Sequence, residues 1–87
     1  MERTLISQLK EKVGQQVRLQ GWVQTIRDQG GILFIVLRDI TGLTQVVIGS
    51  KELLEAAKSL TLESVVEITG TAKSEAKAFT GIEVSAE

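Results

Sequence analysis

The run from Gly21 to Val47 constrains the fold most, because its residues alternate between polar and apolar and glycines mark its turns. Two short turns, at 28–31 and 39–42, divide the run into three segments with the period-2 pattern of β-strands. Both turns contain glycine, which tolerates the backbone conformations of tight turns. The run therefore predicts a three-stranded antiparallel meander.

The middle strand of this meander has two different faces. Three large aliphatic residues share one face and can fill the dry side of a sheet: Leu33, Ile35 and Leu37. Phe34 is then left exposed on the other face, beside Arg38. An exposed ring with polar neighbours is a candidate platform for stacking a nucleobase. The alternative is a ring covered by a loop or by the chain ends.

The segment before the meander predicts a short helix and then a strand. The helix is expected over Thr4–Val13, with Thr4 as its N-cap and apolar residues at every fourth position. The strand is expected over Gln15–Arg27, with Gly21 at a bulge or sharp bend of the kind that closes a small barrel. Trp22, beside that bend, is expected to have a structural packing role.

After the meander the pattern changes to helix and then back to strand. Ser50 is the expected N-cap of an amphipathic helix over Lys51–Leu60, and two more strands are predicted over Val65–Ala72 and Gly81–Ser85. The order β-β-β-α-β-β, preceded by a short helix, predicts an all-β domain with one helix. This is the plan of the five-stranded OB-fold barrel, whose second and third strands bind oligonucleotides. We expect one such domain over residues 1–87.

The composition excludes several classes of function. The 87 residues contain no cysteine and no histidine, which excludes a disulfide framework, thiolate metal sites and histidine acid–base catalysis. No signal peptide or membrane-spanning run is present in the sequence, so we expect a cytoplasmic protein without membrane contact. The net charge of −1 disfavours tight autonomous binding to nucleic acid, because phosphate contacts supply most of that affinity.

Several short motifs follow one another in a fixed order along the chain. They are G-W-V at 21–23, R-D-x-G-G at 27–31, F-I-V-L-R-D at 34–39 and Q-V-V at 45–47, followed by 63–73 and 81–87. This ordered set resembles the N-terminal anticodon-binding domain of class IIb aminoacyl-tRNA synthetases, and most closely that of the aspartyl enzymes. The resemblance covers nearly the whole chain. One departure is Ile40, where the family commonly has a charged residue.

The resemblance implies that four side chains bind the anticodon loop of aspartate tRNA. Phe34 would stack on the middle uracil, and Gln45, expected opposite Phe34, would hydrogen-bond a base edge. Arg27 would contact the anticodon, and Glu83 would recognise the guanine at its first position. Without the resemblance, Gln45 is a solvated strand position and Arg27 is part of a surface ion pair with its neighbour. Glu83 would then only protect an edge strand from aggregation.

The resemblance also implies what this chain lacks. We expect no catalytic residue, metal or cofactor here, because ATP and Mg²⁺ would belong to the catalytic domain of a parent aspartate–tRNA ligase. The isolated domain is expected to be monomeric and the parent homodimeric. Whether the parent is specific for aspartate or also serves asparagine stays open. Two other functions stay open as well, a general single-stranded nucleic-acid binder and a protein-interaction domain.

Overall fold

The computed structural model describes residues 2–78 and 80–87, and its strands form a closed barrel in the order β1-β2-β3-β5-β4. The strands are β1 Gln16–Gln29, β2 Ile32–Asp39, β3 Gly42–Ile48, β4 Val65–Ser74 and β5 Ile82–Ala86. A helix, α1, spans Lys51–Ala57 between β3 and β4, and a 3₁₀ helix at Ile6–Glu11 precedes β1. The predicted order of elements and the OB-fold barrel are therefore confirmed.

The barrel core is built from the inward-facing residues of every strand. Those that are completely inaccessible to solvent are Val17, Leu19, Val23, Ile35, Leu37, Val46, Ala72 and Val84. Leu33, which was expected on the same dry face, is only partly buried and packs against the margin of this core. The alternation in the sequence thus predicted the inner face of the meander.

The turn between β1 and β2 has the predicted form. Gly30 and Gly31 both have positive φ angles, 60° and 88°, in the region that side-chain-bearing residues rarely adopt. Such a two-residue turn matches the twist of the strands that it joins. It fixes the register in which Arg27 lies opposite Phe34.

The irregularity of β1 does not lie at Gly21, where it was predicted. The register with β2 shifts between Val23 and Thr25, so the bulged residue is Gln24. Gly21 is instead required by a close approach, because a Cβ atom there would clash with the backbone carbonyl of Arg38. Gly21 thus marks a close contact between two backbones rather than a bulge. A glycine within an alternating strand pattern is consistent with either explanation.

The N-terminal helix also differs from the prediction. It is a 3₁₀ helix, in which residues three apart share a face, and Ile6 and Leu9 are accordingly its buried side chains. Val13, expected on the apolar stripe, is 43% exposed. Thr4 is not the N-cap, since Leu5 occupies that position, and the N–H of Thr4 donates to the carbonyl of Arg18 at 2.7 Å.

The helix α1 begins as predicted and ends earlier. The hydroxyl of Ser50 accepts a hydrogen bond from the N–H of Leu53 at 3.3 Å, which confirms Ser50 as the N-cap. The α-helix ends at Ala57, and Leu60 packs against the core from the loop that follows. No helix in the part of the chain that the structure describes is long and apolar enough to cross a membrane.

Candidate nucleic-acid interface

The outer face of the meander carries Phe34, the aromatic residue singled out in the sequence. It is half-buried and lies opposite Arg27 of β1 and Val47 of β3. The guanidinium carbon of Arg27 is 5.4 Å from the centre of the Phe34 ring, within the range of a cation–π contact. Two of the predicted site residues therefore contact each other.

The same face contains an open pocket of about 490 Å³, a volume typical of ligand sites. Its lining residues are Thr25, Ile26, Arg27, Phe34, Ile35, Val36, Gln45 and Lys77. The pocket thus combines an aromatic ring, an amide and two cations. These groups can stack on a base, read its edge and contact phosphate oxygens.

Sequence reasoning missed Thr25 and Lys77 as pocket residues. Lys77 lies in the loop between β4 and β5, and that loop is one that OB-folds use for binding oligonucleotides. The predicted OB-fold could therefore have indicated Lys77, whereas a single charged residue in a polar loop gave no reason to select it. Nothing comparable marked Thr25, which shares the outer face of β1.

Gln45 lies in this pocket, but it is not directly opposite Phe34 as predicted. Its partner on β2 is Val36, whereas Phe34 pairs with Val47. Gln45 and Phe34 are therefore diagonal neighbours, close enough for a long side chain and a ring to reach one ligand. The predicted turn at 39–42 is correct, and counting back along both strands from the pair Asp39 and Gly42 places Gln45 opposite Val36.

Glu83 reaches the site from the last strand. The strand β5 runs parallel to β3 and brings Glu83 beside Gln45, whose side-chain Nε2 donates to Glu83 Oε2 at 3.0 Å. Since β5 pairs with β3 on one side and β4 on the other, it is not an edge strand. Protection of an exposed edge is therefore the wrong explanation for this glutamate.

Arg38 lies further along the face, and not beside Phe34. Its guanidinium carbon is 5.8 Å from the centre of the Trp22 ring, and its Nη1 donates to Gln24 Oε1 at 3.4 Å. Trp22 is half-buried and pairs with Arg38 across β1 and β2. The pair agrees with the expected packing role of Trp22 and adds a cation to one end of the face.

The next residue along β2, Asp39, is structural. It is only 2% exposed, and its carboxylate accepts hydrogen bonds from the N–H of Ile6 at 2.9 Å and of Thr41 at 2.7 Å. Burial alone would raise the pKa of Asp39, but the hydrogen bonds from Thr41, Ile6 and Gly42 outweigh it and hold the pKa below its ordinary value. Ile40, in the adjoining turn, is 86% exposed.

The charge of this face differs from the charge of the whole chain. Arg27 and Arg38 project from its strands, Lys77 lines the pocket, and Lys73 lies beside Glu83 in the register of β4 and β5. The chain as a whole has a net charge of −1. Four of the ten Lys and Arg residues of the chain therefore lie on or beside this face, where they can contact phosphate oxygens. The described residues contain no group of three or more acidic side chains that could hold a metal ion.

The barrel and its aromatic, cationic face define a nucleic-acid-binding domain of the OB class. A comparison with protein families agrees: residues 17–87 match the tRNA anti-codon family, described as an OB-fold nucleic acid binding domain. The chain belongs to this family.

Individual relatives show which members of the family the chain is similar to. The chain is 47% identical over 87 residues to an aspartate–tRNA(Asp/Asn) ligase of Deinococcus radiodurans, covering all of the chain and 19% of that relative. It is 50% identical over 74 residues to an aspartate–tRNA ligase of Oceanobacillus iheyensis, covering 80% of the chain and 12% of the relative. The crystal structure of asparaginyl-tRNA synthetase from Pyrococcus horikoshii matches with a TM-score of 0.90 and 36% identity, over all of this chain and 21% of that one. The resemblance seen in the sequence is confirmed, and the chain spans about a fifth of these proteins or less.

Proposed function

We propose that this domain recognises the anticodon loop of aspartate tRNA as part of an aspartate–tRNA ligase. The observation that supports this proposal best is the pocket that joins Arg27, Phe34 and Gln45 on one face, with Glu83 hydrogen-bonded to Gln45. Residues far apart in the chain thus form one surface with the groups that unpaired bases require. The family and the named relatives support the same function.

Phe34 and Arg27 together would hold one base. The Phe34 ring offers a π-face to any base, and we assign it the middle uracil of the anticodon. Because the Arg27 guanidinium already lies over that ring, a bound base would either displace it or insert between the two groups. In both arrangements the cation would stay close to the anticodon backbone, and Lys77 would supply a second cation from the facing loop.

Gln45 and Glu83 would read base edges. The amide of Gln45 can donate and accept, so it can pair with the hydrogen-bonding edge of the middle uracil. The carboxylate of Glu83 can accept hydrogen bonds from N1–H and N2–H₂ of a guanine at the first anticodon position. Adenine lacks that pair of donors, so the contact would select guanine.

The relatives also guide a proposal about the parent protein. We infer an ATP-dependent ligase, specific for aspartate or serving both aspartate and asparagine, since relatives of both names match. ATP and Mg²⁺ would bind to its catalytic domain and not to this chain. The parent would be a cytoplasmic homodimer, and the isolated domain would be a monomer.

A titration with RNA hairpins tests this function. One hairpin carries the aspartate anticodon, guanine–uracil–cytosine, and a control hairpin has the same stem with an unrelated loop. We expect amide and side-chain NMR shifts at Arg27, Phe34, Gln45 and Glu83 with the anticodon hairpin and much weaker binding of the control. Equal binding of the two hairpins would favour a general single-strand binder. Absence of shifts at millimolar RNA would favour a protein-interaction domain.

A further inference from the structure

The side-chain amide of Gln45 has its orientation fixed by Glu83. Gln45 Nε2 donates to Glu83 Oε2 at 3.0 Å, and a carboxylate can only accept hydrogen bonds. If the amide rotated by half a turn, its own oxygen would face the carboxylate, and two acceptors would repel each other. Both side chains are half-buried, so such a repulsion would be poorly screened by water.

The fixed orientation leaves Gln45 with one carbonyl oxygen and one N–H for a ligand. Where the amide faces positions 3 and 4 of the base, uracil offers a donor at N3 beside an acceptor at O4, whereas cytosine offers an acceptor at N3 beside a donor at N4. An amide can pair with either edge, but the two pairings require opposite orientations of its oxygen and nitrogen. An amide that rotates freely would therefore accept both pyrimidines, and a fixed one would select between them.

We propose that Glu83 is a positioning residue that makes Gln45 discriminate uracil from cytosine at the middle anticodon base. This inference rests on the proposed function and adds a second role to the contact of Glu83 with guanine. Two base positions are then coupled, since the group that contacts the first base also sets the orientation of the reader of the second.

The topology of the barrel makes this coupling direct. Gln45 and Glu83 are 38 residues apart in the chain, yet the parallel pairing of β3 with β5 makes them immediate neighbours. Phe34, which would stack on the same middle base, lies diagonally across β2 and β3 from Gln45. Stacking would fix the plane of the base, and the amide orientation would then decide which edge can pair with it.

The decisive variant is Glu83→Gln. Its side chain has nearly the same size, but its amide can donate as well as accept, so Gln45 is free to rotate. A matched control is Glu67→Gln, because Glu67 accepts from Gln20 Nε2 at 3.0 Å in an equivalent pair across β1 and β4, distant in register from the pocket. Binding is measured by fluorescence anisotropy with two hairpins that differ only in uracil or cytosine at the middle position.

We expect the wild-type domain to prefer the uracil hairpin by about tenfold or more, the size of a good bidentate contact. In Glu83→Gln this ratio should fall to about threefold or less, and in Glu67→Gln it should not change. Both hairpins keep guanine at the first position, so loss of a contact between Glu83 and guanine would weaken both equally. The ratio therefore reports only the orientation of Gln45.

A wild-type ratio retained in Glu83→Gln, or a wild-type domain that does not distinguish the two hairpins, would overturn the inference. Failure of the proposed function is a different result, in which the anticodon hairpin binds no better than one with an unrelated loop. NMR of the free proteins gives a second test that does not depend on RNA. The side-chain amide signals of Gln45 should shift in Glu83→Gln and stay in place in Glu67→Gln.

Discussion

Phe34 shows how one residue can be partly buried and still be available to a ligand. Its neighbours across the strands are Arg27 and Val47, and its ring borders an open pocket rather than the barrel interior. The side chains that fill the interior belong to the alternate positions of the same strand, Ile35 and Leu37. Removing the Phe34 ring should therefore affect binding far more than folding.

We expect Phe34→Ala to weaken binding of the anticodon hairpin by roughly 1–3 kcal/mol, the usual contribution of one base–aromatic stack. Phe34→Leu is the matched control, because leucine restores apolar volume without a ring. Anisotropy titrations should place it close to the alanine variant if stacking is the cause. Far-UV circular dichroism and a thermal melt check folding, and an unfolded Phe34→Ala domain would mean that the ring is part of the core.

At the scale of elements, the N-terminal 3₁₀ helix is fastened to the turn between β2 and β3. The carboxylate of Asp39 accepts from the N–H of Ile6 at 2.9 Å, and Thr41 Oγ1 accepts from the N–H of Ser7 at 3.1 Å. Besides the local hydrogen bond from the N–H of Leu5 to Gln8 Oε1 at 3.0 Å, the helix has caps supplied by residues that are distant in sequence. That part of its stabilisation requires the turn of the meander to be formed.

Asp39→Asn should destabilise the domain by about 1–3 kcal/mol at neutral pH, because an amide nitrogen replaces one buried acceptor. The exposed Asp28 provides the control, and Asp28→Asn should have little effect. Thermal melts of each variant beside the wild type measure the difference. Equal melting temperatures for Asp39→Asn and wild type would show that the carboxylate does not fasten the helix.

The same carboxylate predicts a pH dependence. Hydrogen bonds lower the pKa of folded Asp39, so its stabilising contribution is complete above the unfolded pKa of about 3.9 and is lost as pH falls through the folded pKa. The difference in unfolding free energy between wild type and Asp39→Asn should be constant near neutrality and decrease below about pH 4. Urea unfolding from pH 7 down to pH 3 measures it. A difference that increases in acid would contradict the sign of the pKa shift.

The close approach of β1 and β2 at Gly21 gives a further prediction at this scale. A Cβ atom at Gly21 would clash with the carbonyl of Arg38, whereas Gly49 has open space around the corresponding position. We expect Gly21→Ala to cost about 1–3 kcal/mol, or roughly 4–8 °C of melting temperature for each kcal/mol. Gly49→Ala is the control for glycine replacement itself. Equal melting temperatures for the two variants would mean that β1 and β2 move apart to accommodate the added methyl group without loss of stability.

At the scale of the whole molecule, the distribution of charge matters more than its sum. Arg27, Arg38, Lys73 and Lys77 lie on or beside one face, although the chain has a net charge of −1. Elsewhere in the described residues, Arg18 is 3.7 Å from Glu67, and Lys58 is 2.9 Å from Glu55 on α1. Under the proposed function, bound RNA would meet these four cations together.

Four such cations predict a moderate salt dependence. Each neutralised phosphate of a single strand contributes about 0.7 to the slope of log K against log salt, so we expect a slope of about −3. Lys77→Ala should reduce its magnitude by about 0.7, and Lys58→Ala should leave it unchanged. Titrations at several potassium chloride concentrations measure the slope. A magnitude of about 5 or more would require phosphate contacts beyond this face.

The sequence predicted the parts of this molecule that depend on local pattern. Alternation identified Ile35, Leu37 and Val23 as inward-facing, and paired glycines identified the turn after β1. Contacts between side chains on strands that are distant in sequence could not be predicted from local pattern. The contact of Gln45 with Glu83 depends on the parallel register of β3 and β5, which is set by closure of the whole barrel.

That parallel register has a consequence for the order in which the protein acquires its function. Arg27, Phe34 and Gln45 precede Glu83 in the chain, so the meander that carries them is synthesised before β5. A growing chain could then display a stacking platform whose amide is not yet held in one orientation. Under the proposed role of Glu83, Gln45 would be held in one orientation only once β5 pairs with β3, so a discriminating ligand would bind the finished barrel and stabilise it by mass action.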